Sequence, residues 1–242
     1  MKLENKVAIV TGAGGGIGRA IALAFALEGA AVILAGRTRA SLQKVAEEIL
    51  AAGGKSWPCP VDVTDADSVR RGVNETLKRC GQIHILANSA GVFIYKSILE
   101  VTIEDWDLTL NTNLKGIFLC CQAVLPHMIA RRQGNIINIS SIHGKLADAN
   151  LVPHCASKFG VIGLTQALAK EVAEYNINVN VICPGQVDSR WLEEDQKSVP
   201  LVSTELKPAD VAKVAVFLAS LESAIMTGSV IDLFGRTSVK ID

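Results

Sequence analysis

The chain has 242 residues, 49% of them hydrophobic, and its 24 lysines and arginines balance its 24 aspartates and glutamates. That length accommodates one large α/β domain over residues 1–242, and the balanced charge argues against a nucleic-acid-binding surface or a disordered acidic tail. The six cysteines form no Cys-x-x-Cys pair and no metal-ligand spacing with histidine, so we expect reduced thiols and no bound metal.

The N-terminus is charged, with the sequence Met-Lys-Leu-Glu-Asn-Lys, and does not resemble a signal peptide. No apolar run reaches the roughly 18 residues that a membrane span needs. We therefore expect a soluble, cytoplasmic protein without membrane contact.

Strand and helix patterns alternate along the whole chain, and no linker rich in proline, glycine or serine interrupts them. The predicted strands lie near 6–11, 31–36, 55–61, 83–88, 134–140, 177–183 and 229–233. The predicted helices lie near 16–29, 39–53, 65–80, 103–131, 153–175 and 208–220. This alternation predicts an α/β fold with a doubly wound parallel sheet of about seven strands, covered by helices on both faces. Ligands of such sheets bind beyond the carboxyl ends of the strands.

A glycine-rich turn follows the first strand. The apolar run Val7–Val10 leads into TGAGGGIG at 11–18, and a helical pattern begins at Ile17. Glycines let the backbone approach a pyrophosphate, and the free N–H groups of a helix start face the anion. The predicted cofactor contacts are Gly12, Gly15, Gly16, Ile17 and Gly18. Gly12, Gly16 and Gly18 have the spacing G-x-x-x-G-x-G rather than G-x-G-x-x-G. An ordinary glycine turn is the alternative interpretation.

The second and third strands are each followed by a charged residue. Arg37 comes after Gly36, where an NAD-binding fold usually has a carboxylate for the ribose hydroxyls. A guanidinium there suits a 2′-phosphate and favours NADP(H) over NAD(H), although a solvated surface charge is the alternative. Asp62 and Val63 follow the third strand, where a carboxylate could bind the adenine amino group. In the other interpretation, Asp62 or Asp65 only caps the next helix.

The fourth strand ends in Asn88-Ser89-Ala90-Gly91, small residues that let the backbone pass close to a ligand. Together with TGAGGGIG, Asp62-Val63, Asn113, Ser141, Lys158 and Pro184-Gly185, in this order and spacing, the stretch resembles the short-chain dehydrogenase/reductase family over essentially the whole chain. The nearest group contains 3-oxoacyl-carrier-protein reductases and many small alcohol and ketone reductases. The resemblance implies a single-domain Rossmann fold, cofactor contacts at Asn88, Ala90 and Gly91, and a small carbonyl or alcohol substrate.

The active site of this family contains an asparagine, a serine, a tyrosine and a lysine. The tyrosine exchanges a proton with the substrate and the serine orients the carbonyl. The lysine lowers the pKa of the tyrosine and holds the nicotinamide ribose, while the asparagine keeps a helix turn open for a proton-relaying water. Asn113 matches the asparagine, with Asn111 as the competing choice. Ser141 matches the serine, with Ser140 as the fallback.

The family's Tyr-x-x-x-Lys pattern is His154-x-x-x-Lys158 in this chain. The two residues lie one helical turn apart and share a face. Tyr175 lies about 30 Å away along the same predicted helix, and Tyr95 is the alternative acid. His154 is either the proton donor of a weakened or altered reductase, or a space-filling residue in a cofactor-binding pseudoenzyme that acts as a partner or sensor. Lys158 and oxidised nicotinamide should lower the His154 pKa below about 6.5.

The sixth strand leads into a turn that matches the family's Pro-Gly turn over the nicotinamide. The resemblance implies cofactor contacts at Pro184, Gly185, Val187 and Ser189, and at Lys158. The segment from Arg190 to Leu206 is short for a lid over the substrate and predicts an open pocket. Asp232 to Arg236 replaces the family's usual Asp-Gly-Gly ending, near a subunit interface of many relatives.

The predicted helices near 103–131 and 153–175 carry apolar residues on more than one face. A helix that contacts only a sheet needs a single apolar face. We therefore predict a homo-oligomer, a dimer or a tetramer, in which these helices pair across a two-fold axis. The residues concerned are Leu114, Ile117, Phe118, Leu119, Val161, Ile162, Leu164 and Leu168.

Overall fold

A computed structural model describes residues 1–187 and 206–235 of the chain. Its strands are β1 (Val7–Thr11), β2 (Ala31–Gly36), β3 (Lys55–Pro60), β4 (Ile85–Asn88), β5 (Gly134–Ile139), β6 (Ile177–Pro184) and β7 (Val230–Leu233). They form one sheet in the order β3-β2-β1-β4-β5-β6-β7, and every neighbouring pair is parallel. The predicted doubly wound α/β fold is confirmed.

Helices cover both faces of the sheet. They are α1 (Gly16–Leu27), α2 (Arg39–Ala51), α3 (Ala66–Cys80), α4 (Ile103–Leu110), α5 (Gly116–Arg131), α6 (Val152–Val172) and α7 (Pro208–Ala219). Ala8 and Val10 of β1 pack with α1, α2 and α7, whereas Ile9 between them packs with α3, α5 and α6. This alternation follows from the two-residue period of a strand, and it explains why β1 is apolar throughout.

The order of the strands reverses at β1, which has β2 on one side and β4 on the other. In an open parallel sheet, a crevice forms beyond the carboxyl ends of the strands at such a reversal, because the following connections leave to opposite faces. The glycine turn after β1 and the small residues after β4 therefore meet at one place. This geometry joins two of the stretches that the sequence analysis singled out.

The predicted helix near 103–131 changes its winding at Asn111–Lys115, a π turn between α4 and α5. Within the described ranges, the stretch Ile103–Arg131 is the one helix that is long and apolar enough to cross a membrane, by length and composition only. This differs from the expectation that no apolar run reaches such a length. Core helices of soluble proteins pass the same test, and Cys120, Val124 and Met128 of α5 are buried against the sheet.

Most of the apolar residues from which the pairing of helices was predicted pack within the chain's own core instead. Ile117, Leu119 and Val161 are buried, and the partly buried residues Leu114, Ile162, Leu164 and Leu168 pack against the same core. Both helices have apolar residues on several faces because they contact the sheet and one another. Of the eight residues, Phe118 is largely exposed, at 47%.

Candidate active site

The turn after β1 brings the ends of β1 and β4 and the start of α1 into backbone contact. The Thr11 hydroxyl accepts hydrogen bonds from the N–H groups of Ser89 and Ala90, at 3.0 and 3.1 Å. Gly12 has a φ of +66°, and a Cβ on it would lie 2.9 Å from the Ala90 backbone. A Cβ on Gly18 would lie 2.2 Å from the carbonyl oxygen of Gly12. Both positions therefore require glycine.

Gly15 and Gly16 face open space. A Cβ on either would have no further heavy atom of the described residues within 4 Å. Gly15 is the N-cap of α1, and no side chain in the described ranges caps that helix start or places a carboxylate in its first turn. A helix start with free N–H groups beside an open stretch of backbone fits an anionic pyrophosphate. Ile17, the next predicted contact, packs partly buried against the core.

Arg37 and Asp62 follow the neighbouring strands β2 and β3. The Asp62 carboxylate accepts hydrogen bonds from the backbone N–H and the hydroxyl of Thr64, at 2.9 and 2.8 Å. These bonds and the charge of Arg37 hold the pKa of the Asp62 carboxyl below its usual range. The cap of α3 is Asp65, so Asp62 is left as an ionised acceptor at the edge of the sheet. Arg37 is exposed and Val63 is buried.

Asn88 is buried at the end of β4, and its side chain joins strands rather than facing outward. Its Nδ2 donates to Oδ1 of Asn138 at 2.9 Å, and Nδ2 of Asn138 donates to the Thr165 hydroxyl at 2.9 Å. These bonds connect β4, β5 and α6. The Asn88 Oδ1 has no partner among the described residues. The cofactor contacts predicted for Asn88, Ala90 and Gly91 stay predictions.

Asn113 lies buried in the π turn and holds the loop that follows β4. Its Oδ1 accepts from the Val92 N–H at 2.8 Å, and its Nδ2 donates to the Val92 carbonyl at 3.0 Å. Its Nδ2 also donates to the Ser157 hydroxyl, which in turn donates to the His154 carbonyl. Asn113, rather than Asn111, therefore connects the π turn, this loop and α6.

The two serines after β5 have different surroundings. Ser140 is buried, and its hydroxyl donates to the Lys158 carbonyl at 2.9 Å. Ser141 is half-buried and caps the short 3-10 turn Ile142–Gly144 by accepting from the His143 N–H at 3.1 Å. Because the Ser140 hydroxyl donates within the core, Ser141 is the serine that can donate a hydrogen bond to a substrate.

His154 lies in the first turn of α6 and is 6% exposed. The pKa of its ring is lowered to about 3, mainly by burial and also by the charges of Lys158 and His143, while a hydrogen bond with the Val92 backbone opposes the shift. The direction is the one predicted from the sequence, and the ring is neutral at physiological pH. Its Nδ1 has no partner in the part of the chain that the structure describes. The Phe93 ring packs edge-to-face on it, with 4.8 Å between centroids.

Lys158 lies one helical turn beyond His154. Its Nζ donates to the Ile139 carbonyl at 2.9 Å, and burial lowers its pKa to about 8. The two tyrosines lie elsewhere: Tyr175 is in a 3-10 turn after α6, and the Tyr95 hydroxyl accepts from the Asn150 side chain at 3.1 Å. Tyr95 is 45% exposed, so its contact with Asn150 holds it near the surface.

The end of β6 explains the Pro-Gly pair. The Gly185 N–H donates to the Leu233 carbonyl at 2.8 Å, and a Cβ on Gly185 would lie 2.7 Å from the carbonyl oxygen of Phe234. The two chain segments thus run in contact beyond the sheet. Pro184 is buried and Val187 half-buried. Ser189, the lid segment 190–205 and Arg236 lie outside the described residues.

Two aromatic rings that lie beside His154 were not predicted from the sequence. His143 follows Ser141 by two residues, and its ring centroid lies 5.6 Å from that of His154. Phe93 comes from the loop that Asn113 holds. The signal for His143 was its place just beyond the candidate serine at the carboxyl end of a strand. Phe93 gave no local signal, because its position depends on the bonds between Asn113 and Val92.

The sheet order, the helices on both faces and the glycine turn at the strand reversal define an α/β protein of the Rossmann type. The family described as short chain dehydrogenase matches residues 6–199. The chain is 40% identical over 242 residues to the 3-oxoacyl-[acyl-carrier-protein] reductase FabG of Thermotoga maritima, covering 97% of this chain and 98% of that protein. It belongs to the short-chain dehydrogenase/reductase family of oxidoreductases, as the motifs predicted.

Other relatives agree. The chain is 34% identical over 246 residues to the (2S)-[(R)-hydroxy(phenyl)methyl]succinyl-CoA dehydrogenase subunit BbsD of Thauera aromatica, covering 99% of both chains. A solved short-chain type dehydrogenase/reductase from Mycobacterium marinum superimposes with a TM-score of 0.90 at 34% identity. The match covers 98% of this chain and 97% of that one, so the likeness extends to the whole fold.

A pair of glycine substitutions tests the anion cradle. We expect Gly15→Ala to leave the free energy of unfolding within about 0.5 kcal/mol, because its φ of −169° suits any residue and the space is open. The added methyl should nevertheless weaken NADPH binding, measured by fluorescence titration. The matched variant Gly18→Ala should lose about 1–3 kcal/mol of stability in urea unfolding, since its Cβ meets the Gly12 carbonyl. Unchanged NADPH affinity in Gly15→Ala would place the pyrophosphate elsewhere.

Proposed function

We propose that this chain is an NADP(H)-dependent short-chain oxidoreductase that interconverts a carbonyl and an alcohol. The observation that carries the proposal is a set of buried hydrogen bonds beyond the carboxyl ends of the strands, where the glycine cradle also lies. They connect Asn113 to the His154 carbonyl through the Ser157 hydroxyl. They also connect Lys158 to the Ile139 carbonyl and to Ser140, the residue before Ser141. One domain then contains both the cofactor and the substrate sites. A cytoplasmic location is consistent with the free cysteines within the described residues.

The names of the relatives favour this reaction class. One is a reductase of a 3-oxoacyl compound, and the other is a dehydrogenase subunit whose substrate name contains a hydroxyl group. Both names are consistent with the interconversion of a carbonyl and an alcohol. The identity of 34–40% supports the same chemistry here, and we infer no particular acyl or aromatic group from it.

A dinucleotide would be held by the residues at this edge of the sheet. Gly12, Gly15 and Gly16 would surround the pyrophosphate, Asp62 would accept from the adenine amino group, and the turn at Pro184-Gly185 would cover the nicotinamide. When bound, reduced nicotinamide supplies a hydride. Ser141 then donates a hydrogen bond to the carbonyl oxygen, and Lys158 presents its ammonium group beside the site.

The tyrosine that the family uses as an acid is absent, and His154 occupies its place. Its burial and neutral ring indicate a slow acid, because a general acid is effective when its pKa lies near the operating pH. We therefore propose a weakened reductase. A protein that binds NADPH and converts no carbonyl or alcohol would instead be a pseudoenzyme, and an assay of NADPH binding followed by a panel of ketones and alcohols separates the two.

The cofactor preference can be tested at Arg37. NADPH should bind about ten- to a hundredfold more tightly than NADH, because a guanidinium–phosphate pair contributes about 1.5–3 kcal/mol. Arg37→Ala should remove most of this preference in dissociation constants measured by titration. Lys44→Ala, which removes an exposed positive charge on α2, is the control and should retain the preference for NADPH. Equal dissociation constants in the wild type would contradict the proposal.

Restoring the family acid should restore the rate. His154→Tyr should raise kcat/KM for ketone reduction by at least about a hundredfold, since a positioned general acid contributes about 10²–10⁴. The NADPH dissociation constant should stay within a few-fold, because other residues bind the cofactor. His154→Phe, which fills the same space without a hydroxyl, is the control and should gain nothing. Failure of His154→Tyr to accelerate any carbonyl would show that residue 154 does not limit the reaction.

The outer surface of the helices supports a homo-oligomer. Phe118 on α5 and Phe159 on α6 are 47% and 46% exposed, and Trp106 and Leu108 on α4 are 38% and 43% exposed. Large aromatic and aliphatic side chains on adjoining helices are typical of a contact between protein chains. We propose that a second copy covers this surface across a two-fold axis, in a dimer or tetramer.

Light scattering at micromolar concentration tests the assembly. The wild type should have the mass of a dimer or tetramer, and the double variant Phe118→Glu, Phe159→Glu should dissociate because carboxylates would be buried in the contact. Leu50→Glu, at a 72% exposed position on α2, is the control and should leave the mass unchanged. A monomeric wild type would refute the proposed contact.

A further inference from the structure

His143 lies between the candidate serine and the ring that replaces the tyrosine. Its Nδ1 is 3.4 Å from the Ser141 hydroxyl oxygen, and its ring meets that of His154 edge-to-face at 75°. Hydrogen bonds between catalytic groups are commonly long before a substrate binds. His143 is half-buried whereas His154 is buried, so His143 is the more accessible of the two residues to solvent.

Building on the carbonyl reduction proposed above, we propose that His143 supplies the proton for the reaction through the Ser141 hydroxyl. His154, in this arrangement, fills the tyrosine's space and orients the His143 ring. The proposal assigns a catalytic role to a residue outside the family's four active-site positions. It rests on the contact between His143 and Ser141 and on the different burial of the two histidines.

A bound reduced nicotinamide would supply the hydride for the new C–H bond, and the electron pair of the C=O π bond would move to the substrate oxygen. The Ser141 O–H bond breaks as its proton passes to that oxygen, and Ser141 Oγ takes the proton from Nδ1 of the His143 imidazolium. His143 becomes neutral and regains its proton from solvent. Alcohol oxidation runs along the same path in reverse.

Whether Nδ1 of His143 carries a proton decides which way the Ser141 hydroxyl points. When His143 carries a proton on Nδ1, it donates to Ser141, and the serine hydroxyl is free to donate to the substrate oxygen. When Nδ1 is unprotonated, Ser141 donates to His143 instead and cannot bind the carbonyl as a donor. The proton on Nδ1, present in the imidazolium and in one of the two neutral tautomers, thus sets which role Ser141 has.

Burial and a nearby carboxylate act on the pKa of His143 in opposite directions. The Asp148 carboxylate, in the loop before α6, raises the pKa of the ring, while burial has the larger effect and lowers it below its ordinary value of 6.5. His154 on α6 faces it with a neutral ring. The Asp148 carboxylate thus opposes the effect of burial on His143, whereas the charges beside His154 add to the effect of burial there.

Nuclear magnetic resonance supplies a test that needs no turnover. The ring signals of His143 should titrate below pH 6.5 in the protein without cofactor, whereas those of His154 should stay constant down to about pH 4. Asp148→Asn should lower the pKa of His143 because the stabilising carboxylate is lost. Titration of His154 instead of His143 in this range would overturn the proposal.

Kinetics of a double-mutant cycle supply the second test. His143→Gln should lower the rate of ketone reduction at least tenfold in the wild type and less than about threefold in the His154→Tyr background, where tyrosine replaces the relay. The NADPH dissociation constant should not change. In the wild type, reduction should slow and oxidation should accelerate as the pH rises through the pKa of His143, and His143→Gln should abolish both dependences.

The outcomes separate the two proposals. An equal loss in both backgrounds would show that His143 only supports the fold, and it would overturn the relay while leaving the proposed reaction intact. A His154→Tyr enzyme that is active beside an inactive wild type would do the same. Failure of both the wild type and His154→Tyr on every carbonyl would contradict the proposed function itself, and the relay with it.

Discussion

The backbone contact between Thr11, Gly12 and the chain after β4 is the constraint on which the rest of the site depends. Thr11 binds two consecutive N–H groups of the neighbouring segment, and this draws β1 and β4 together at their carboxyl ends. Gly12 then has the Ala90 backbone against it, and Gly18 has the Gly12 carbonyl against it. The start of α1 is fixed relative to two strands at once, so its free N–H groups point to one place at the reversal of the sheet.

A second set of contacts fixes the other half of the site, and Asn113 is its centre. The side-chain amide of Asn113 binds the N–H and the carbonyl of Val92, so this side chain must lie at a fixed position beside the loop. The π turn gives the side chain that position, because the wider helix moves it toward the neighbouring loop. Buried polar groups of this kind are stable when every member is bonded, so the loop, the turn and α6 are ordered together.

The sequence predicted the fold well because each element has a strong local signal. Alternating apolar runs and helical periods located seven strands and the helices between them, and the glycines of the turn after β1 marked the strand reversal. The site was predicted less completely. Ser141 was chosen over Ser140 by resemblance, whereas the physical reason is that Ser140 binds the Lys158 carbonyl. The network of Asn88, the contacts of Phe93 and the outward face of Phe118 depend on neighbours distant in the chain, which no local pattern contains.

The exchange of tyrosine for histidine changes what the nearby lysine does. A phenol is a neutral acid whose product is an anion, so a positive charge beside it stabilises the product and makes the acid stronger without emptying its protonated form at neutral pH. An imidazolium is a cationic acid, and the same charge destabilises the form that must donate.

With a pKa of about 3, His154 would carry the extra proton in only about one molecule in 10⁴ at pH 7. Burial is the larger cause of this low pKa, because it penalises the charged ring. A histidine in this position can therefore donate only from its neutral form, and the Val92 backbone already binds the ring. In the described part of the site, His143 is half-buried and the Asp148 carboxylate raises its pKa, and for these reasons we propose it as the source of the proton.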